Sequence, residues 1–275
     1  MTSAIAAVLV HADRSPASAR RAGLAADLAA RLGAGLTGAS AGMPYIPAYA
    51  PFGETFVSLQ TEVITAAQRD VTAALSAAEA AFRKMAGKDA AWRQSLTTSS
   101  AALLSTLSRA ADLVIAGPSA PGEDDPLLGV EVSDLVMSAG RPILVTPHSM
   151  ERLSAKSAVV AWKDTRESRR AVFDALPLLV KSEEVVVATA GSGDDIRGAS
   201  DVAIWLKSHG VNATALSENS SDAGAAEALV NIAARQGADL IVAGAFGHSR
   251  TREWVFGGVT RSLLSRSKTA ILFSH

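Results

Sequence analysis

The glycines near the carboxyl end of the chain have the spacing of a phosphate-binding loop. The motif consists of Gly244, Gly247 and, after nine further residues, Gly257, Gly258, Val259 and Thr260. Glycine lets the backbone turn with positive φ and lets a ligand approach without a Cβ in the way. A glycine pair at the start of a helix also leaves N–H groups free at the positive end of the helix dipole, where phosphate binds without lysine. The spacing therefore indicates either a phosphate site or a set of structural turns.

Polar and basic residues stand within and around these glycines. His248 lies inside the motif and is either a hydrogen-bond donor to phosphate or an exposed loop residue. Arg250, Arg252 and Arg261 flank the glycines and would attract an anion. At exposed positions each arginine would contribute little unless it made a bidentate contact.

The glycine motif follows one of a series of short apolar segments. Runs rich in Val, Ile and Leu occur at 5–10, 113–116, 143–145, 158–162, 185–188, 240–243 and 270–273. Segments with helical spacing alternate with them at 18–32, 61–85, 168–180 and 225–236. This alternation predicts an α/β fold in which helices cover both faces of a parallel sheet. Ligands bind at the carboxyl ends of strands in such sheets, which is where the motif stands.

An internal repeat divides the chain. The sequence ADLVIAG at 111–117 recurs as ADLIVAG at 238–244, and the same offset of 127 carries 141–145 onto 268–272. We therefore predict a tandem duplication with a first domain at 1–150 and a second at 155–275, here called the first and second halves. The first half has extra residues around 43–59. These indicate either a surface loop or helix extension that covers the other half, or a ligand lid.

Other binding and catalytic motifs are missing from the sequence. It contains no Gly-x4-Gly-Lys-Ser/Thr loop, no Gly-x-Gly-x-x-Gly after the first strand of either half, and no Gly-x-Ser-x-Gly elbow. The five histidines are scattered, with no spacing that indicates a metal site. We find no evident pair of nucleophile and base, so we expect binding without efficient catalysis, with slow incidental hydrolysis of the ligand left open.

Composition excludes several classes of function. The 275 residues carry a formal net charge of -1, which supplies no field to hold a polyanion, so we expect no nucleic-acid partner. The absence of cysteine excludes disulfides and thiolate metal sites. The apolar run at 5–10 is far shorter than the ~18 residues of a spanning helix, and no basic segment precedes it. We expect a cytoplasmic protein with no membrane segment.

The segment 238–273 resembles the nucleotide-binding region of the universal stress protein family. The signature of that family is Gly, two residues, Gly, nine residues, Gly, then Ser or Thr, and Gly244, Gly247 and Gly257 match its three glycines. The resemblance implies two tandem open parallel five-stranded sheets with helices on both faces, Rossmann-like and of the adenine nucleotide alpha hydrolase type. It also implies that the second half binds ATP or another adenine nucleotide, with or without Mg.

Two positions depart from the family pattern. Gly258 stands where the family has Ser or Thr, which removes a hydroxyl from the phosphate site and leaves open whether Thr260, two residues on, replaces it. At the end of the first strand of the second half, in the candidate binding segment Ala161-Trp162-Lys163-Asp164, the place of the family's acidic residue is taken by Lys163, and Asp164 comes one later. Lys163 indicates either a phosphate contact or a solvated loop residue. Trp162 indicates either core packing or an adenine platform.

The first half has lost most of the motif. Gly117 keeps the first glycine, but Glu123, Asp124 and Asp125 place negative charges near the would-be phosphate site. The resemblance thus implies a degenerate first domain whose last strand, 143–145, pairs with 270–273 inside the chain, and it leaves a homodimer possible. The alternative function is a nucleotide-independent signalling or scaffold protein in which both sites are degenerate.

Overall fold

The computed structural model describes residues 5–44, 54–190, 195–218, 224–245, 263 and 268–275. Strands and helices alternate along these segments. The strands are β1 (Ala7–His11), β2 (Gly35–Ala41), β3 (Ala91–Ser95), β4 (Leu113–Ala116), β5 (Ile143–Val145), β6 (Ser157–Ala161), β7 (Glu184–Ala190), β8 (Ala213–Glu218), β9 (Leu240–Gly244) and β10 (Ala270–Ser274). The helices are α1 (Pro16–Leu32), α2 (Glu54–Ala86), α3 (Ser100–Leu107), α4 (Val132–Ser138), α5 (Arg166–Leu179), α6 (Asp195–Ser208) and α7 (Ala225–Arg235).

The strands form one sheet in the order β3-β2-β1-β4-β5-β10-β9-β6-β7-β8. Neighbours within each half are parallel, whereas β5 and β10 are antiparallel, with Leu144 opposite Leu272. The predicted α/β class is confirmed, but the two separate sheets are corrected to a single ten-stranded one. The physical reason is that β5 and β10 would each leave an edge of unpaired backbone groups, and their pairing satisfies both.

The halves therefore point in opposite directions. Because β5 and β10 run antiparallel, the strands of the two halves run in opposite directions. The carboxyl ends of β1 and β4 therefore lie along one end of the sheet, measured in the strand direction, and those of β6 and β9 lie along the opposite end. The two places where a duplicated α/β unit would bind a ligand are thus far apart in the fold.

Helices cover both faces of the sheet, as predicted. Alternate strand residues point to opposite faces, so Val8 and Val10 share one core cluster with α1, α5 and α6. Leu9 belongs to a second cluster with α3, α4 and α7. Each cluster contains residues of both halves, so the two halves share a continuous hydrophobic core on either face of the sheet.

The aspartates of the internal repeat have the same role in each half. The Asp112 carboxylate accepts hydrogen bonds from the N–H groups of Ala6 and Ala7 at 2.9 and 3.0 Å. Asp239 accepts from Ser154 and Ala155 at 2.6 and 3.0 Å. Each carboxylate fixes the start of the strand that leads to its half's candidate site.

The extra length of the first half extends α2. The described part of the insertion is helical from Glu54 onward, and α2 makes its main contacts with α1 and β2 of its own half rather than with the other half. Residues 45–53 lie outside the described part of the chain. Among the described helices, none combines the length and the apolarity that crossing a bilayer requires.

Candidate ligand sites at the strand ends

The candidate site of the second half begins where β6 and β9 end. Ala161 lies opposite Ala243, so the end of β6 is beside Gly244, the last residue of β9. The structure thereby brings together two of the segments that the sequence singled out. The remaining predicted residues of the motif lie outside the described residues: Gly247, His248, Gly257, Gly258, Val259 and Thr260.

Gly244 is a close-packing position. A Cβ built on it would lie 2.5 Å from the backbone nitrogen of Ser168 and 2.6 Å from the carbonyl carbon of Glu167. Both atoms belong to the first turn of α5, which packs directly on β9. The absence of a side chain at Gly244 therefore sets how closely the amino end of α5 approaches the strand end.

Lys163 and Asp164 both lie exposed between β6 and α5. The guanidinium of Arg169 donates to the Asp164 carboxylate at 2.6 Å, and these side chains are 62% and 55% exposed. Among the described residues, the Lys163 ammonium has no hydrogen-bond or ion-pair partner. An anion approaching this edge would thus meet Lys163 directly, whereas Asp164 is partly neutralised.

The first turn of α5 adds a buried carboxylate to this edge. Thr165 caps the helix, its hydroxyl accepting from the N–H of Ser168 at 3.2 Å. Glu167 is 5% exposed and is paired with the exposed guanidinium of Arg166. Burial is the largest single influence and opposes ionisation of Glu167, but the hydrogen bonds from Arg166, Thr165 and the backbone, together with the positive charge of Arg166, lower the pKa of the carboxyl. The helix start therefore carries balanced charges.

Trp162 lies in the core beneath α6. It is 7% exposed and belongs to the cluster that also contains α5 and α6. Its Nε1 has no hydrogen-bond partner among the described residues, and a Cβ on Gly198 of α6 would lie 2.8 Å from that atom. This position favours the core-packing interpretation of Trp162 over an adenine platform.

The equivalent turn of the first half contains the acidic residue that the second half lacks. Ser15 caps α1 as Thr165 caps α5, and Asp13 precedes Ser15 by the same two residues by which Lys163 precedes Thr165. Asp13 is 3% exposed, and its carboxylate accepts from the N–H of Ser15 at 2.7 Å. The acid is thus present in the first half, but it is buried.

A buried arginine pairs with this acid. Arg21 of α1 is 1% exposed and donates to Asp13 at 3.2 Å, to the carbonyl of Gly117 at 3.0 Å and to the carbonyl of His11 at 3.1 Å. The guanidinium also lies 3.3 Å from Nδ1 of His11. One side chain therefore joins the ends of β1 and β4, and its charge is compensated by Asp13.

The His11 imidazole is neutral in this cluster. It is fully buried, and its Nε2 lies 2.9 Å from the carbonyl oxygen of Leu128. Burial, assisted by the positive charge of Arg21, lowers the pKa of His11 from 6.5 to about 4. A neutral ring that donates from Nε2 to Leu128 and accepts at Nδ1 from Arg21 satisfies both nitrogens.

The acidic loop after β4 closes over this cluster. Asp125 is 7% exposed and forms a bidentate pair with Arg14, at 2.8 Å from Nε and 2.7 Å from a terminal nitrogen. Burial alone would raise the pKa of Asp125, but the hydrogen bonds from Arg14 and from the Leu127 N–H lower it to about 2. Of the three acidic residues, Glu123 and Asp124 are exposed.

Sequence reasoning did not find the buried cluster of the first half. From their positions at the start of a helix, the sequence suggests that Asp13, Arg14 and Arg21 are ordinary solvated charges. It suggests that His11 is only the last residue of a strand. The available signal was the count from the helix cap, which places Asp13 at the family's acidic position just as it places Lys163 in the second half.

Comparison with known proteins supports the resemblance. The family model described as "Universal stress protein family" matches residues 220–275. The resemblance to universal stress proteins is confirmed. The matched segment contains β9, the whole glycine motif and β10, whereas no curated protein sequence matches the chain significantly.

Solved universal stress proteins share the fold over nearly the whole chain. The protein from Archaeoglobus fulgidus DSM 4304 aligns with a TM-score of 0.64 and 15% identity, covering 98% of this chain and 95% of its own. A putative universal stress protein from Pseudomonas aeruginosa UCBPP-PA14 aligns with a TM-score of 0.57 and 14% identity, covering 98% and 93%. At these identities the alignments show a shared architecture of both halves and no more.

Proposed function

We propose that residues 155–275 form a domain that binds an adenine nucleotide, ATP, at the carboxyl ends of β6 and β9, and that the chain acts as a stress-response regulator. The observation that carries this proposal is the family match over 220–275, because it covers the glycine motif. The motif starts at Gly244, at the sheet edge where α/β proteins bind ligands.

The charges around this edge suit a phosphate-bearing ligand. Lys163 is exposed and without a partner in the described part of the chain, and Arg166 is 85% exposed at the start of α5. The pairs that Arg166 and Arg169 form with Glu167 and Asp164 are open to solvent on the arginine side. The pair of Arg169 and Asp164 is exposed on both sides and contributes little, so a doubly charged phosphate would compete well for the Arg169 guanidinium.

Binding, and not bond cleavage, is the proposed activity. At this edge the described residues provide an ammonium and paired carboxylates but no nucleophile oriented by a base. The ligand would act by selecting one conformation of the protein, and any hydrolysis of ATP would be slow and incidental.

Two residues favour the competing proposal of a nucleotide-independent scaffold. Gly258 replaces a phosphate-binding hydroxyl, and Lys163 replaces an acid. In that case neither half would take ATP, and the paired sheet alone would serve as a platform for a protein partner.

Thermal unfolding with and without ATP and Mg separates the two proposals. A ligand that binds only the native protein stabilises it by about 2.7 kcal/mol at a hundredfold excess over Kd, which raises the melting temperature. Lys163→Ala should reduce this increase without changing the stability of the free protein. Lys156→Ala is the matched control, since Lys156 is an exposed lysine at the opposite end of β6. No increase in the wild type at millimolar ATP would favour the scaffold.

A further inference from the structure

The loop Asp125–Gly129 enters the first half at the place where the second half would hold its ligand. It follows β4 as the glycine motif follows β9, and it lies against the ends of β1 and β2. The side chain of Leu128 is fully buried and packs against Val71, Leu75 and neighbouring alanines of α2. The loop therefore fills the space above the strand ends with its own atoms.

Hydrogen bonds fix the loop from three separate elements. The carbonyl of Leu128 lies 2.9 Å from Nε2 of His11 in β1 and accepts from the Ser100 hydroxyl of α3 at 2.8 Å. The Arg14 guanidinium holds Asp125 from the turn before α1. A Cβ on Gly42 would lie 2.7 Å from the carbonyl oxygen of Leu127, so the end of β2 is shaped to accept the loop.

We propose that Asp125–Gly129, here called the plug, is an autoinhibitory segment that occupies the ligand crevice of the first half in place of a nucleoside phosphate. Arg14 and Asp125 form its latch. The groups beneath the plug are Arg21, Asp13 and His11, so opening it would present a guanidinium, the carboxylate paired with it and an imidazole to an incoming nucleoside phosphate. The proposal concerns the first half and goes beyond the nucleotide binding proposed for the second.

Two roles of the pair between Arg14 and Asp125, a surface ion pair and the latch of the plug, differ in their effect on His11. If Arg14 and Asp125 only stabilised the surface, breaking their pair would lower the melting temperature and leave His11 buried. If they latch the plug, breaking the pair would hydrate His11, because the Leu128 carbonyl would move away from the ring. The imidazole faces Arg21, Asp13, Asp125 and the Leu128 carbonyl, so its titration reports on this contact.

The test combines NMR titration of the His11 ring with the stoichiometry of ATP binding in the full chain. In Asp125→Ala we expect the His11 pKa to move from about 4 toward 6.5 and the number of bound ATP molecules to increase by one per chain over the wild type. Asp124→Ala is the matched control, since it removes the same charge from an exposed neighbour and should change neither quantity. Arg14→Gln opens the latch from the other side and replaces Asp125→Ala if that variant fails to fold.

Three results would overturn the plug. His11 could titrate in both latch variants as it does in the wild type, or Asp124→Ala could reproduce the effect of Asp125→Ala. An exposed His11 without an additional ATP would also contradict the assignment of a ligand crevice. Because the count is taken relative to the wild type, an increase from zero to one would support the plug even if the second half binds no ATP.

Discussion

The two halves share the same succession of strand, turn and helix start, but they differ in whether the charged residues of the turn are buried or exposed. In the first half these charges are buried, and the exposed fractions of Asp13 and Arg21 are 3% and 1%. In the second half the corresponding turn exposes its charges, and Lys163 has no partner in the described residues. The comparison teaches that two α/β halves with the same order of strands can differ in whether the charged side chains at their strand ends are buried or exposed.

Breaking the buried pair should have the largest effect on stability. Arg21→Met leaves the Asp13 carboxylate buried without its guanidinium, which is expected to cost about 3–5 kcal/mol of unfolding free energy. Arg169→Ala, which breaks the exposed pair of the second half, should cost less than about 1 kcal/mol. Chemical denaturation measures both.

A double variant separates charge from packing in this comparison. Replacing both partners, with Asp13→Leu added to Arg21→Met, should regain the part of the loss that comes from the uncompensated charge, whereas the Ser15 N–H and the Gly117 carbonyl still lose their partners. Equal costs for Arg21→Met and Arg169→Ala would show that the buried and exposed turns do not differ energetically.

The buried imidazole predicts an acid sensitivity that belongs to the first half. The unfolded chain binds a proton on His11 near pH 6.5, whereas the native pKa is about 4. Stability is therefore complete above pH 6.5 and should fall by up to about 3 kcal/mol as the pH drops toward 4. His11→Gln keeps a donor for the Leu128 carbonyl and should lack this loss. Parallel stability profiles of wild type and variant between pH 4 and 7 would refute the assignment.

Packing at Gly244 sharpens the comparison on the side of the second half. Gly244→Ala places a Cβ 2.5 Å from the Ser168 nitrogen, so α5 must shift, and overpacking of this kind costs about 1–3 kcal/mol. Gly35→Ala is the matched control, since its Cβ would make only an ordinary contact at 3.8 Å with the carbonyl oxygen of Ala6. Thermal melts that rank the two variants equally would argue against close packing at Gly244.

The smallest expected effect concerns the departure at Gly258. Gly258→Ser restores the hydroxyl of the family signature, and one added hydrogen bond is worth about 0.5–1.5 kcal/mol, or roughly a twofold to tenfold gain in ATP affinity. Titration of both proteins measures it. An unchanged Kd would indicate that the phosphate does not lie beside position 258.

Much of the frame could be predicted from the sequence because its signals are local. The central strands β4 and β5 match the apolar runs 113–116 and 143–145, since strands buried on both faces need continuous Val, Ile and Leu. The edge strands β3 and β8 are mostly exposed or half-buried and carry polar side chains, so their sequences contain no continuous apolar run.

The candidate sites were harder to predict because they depend on contacts between distant segments. Asp125 meets Arg14 across 111 positions, and Arg21 meets Gly117 across 96. No spacing rule predicts such pairs, and a charged residue near the start of an alanine-rich helix is expected to be exposed to solvent. The shared count of two residues from Ser15 and Thr165 back to the preceding charged residue is a signal in the sequence that could have linked the two turns.

Calorimetric titration of the full chain with ATP and Mg tests the central asymmetry most directly. The closed first half and open second half predict one ATP per chain, and Gly247→Trp, which fills the motif with a bulky side chain, should abolish that binding. Two ATP molecules per chain in the wild type would contradict the closed first half. No binding at any temperature tried, confirmed by displacement of a fluorescent nucleotide, would contradict the open second half.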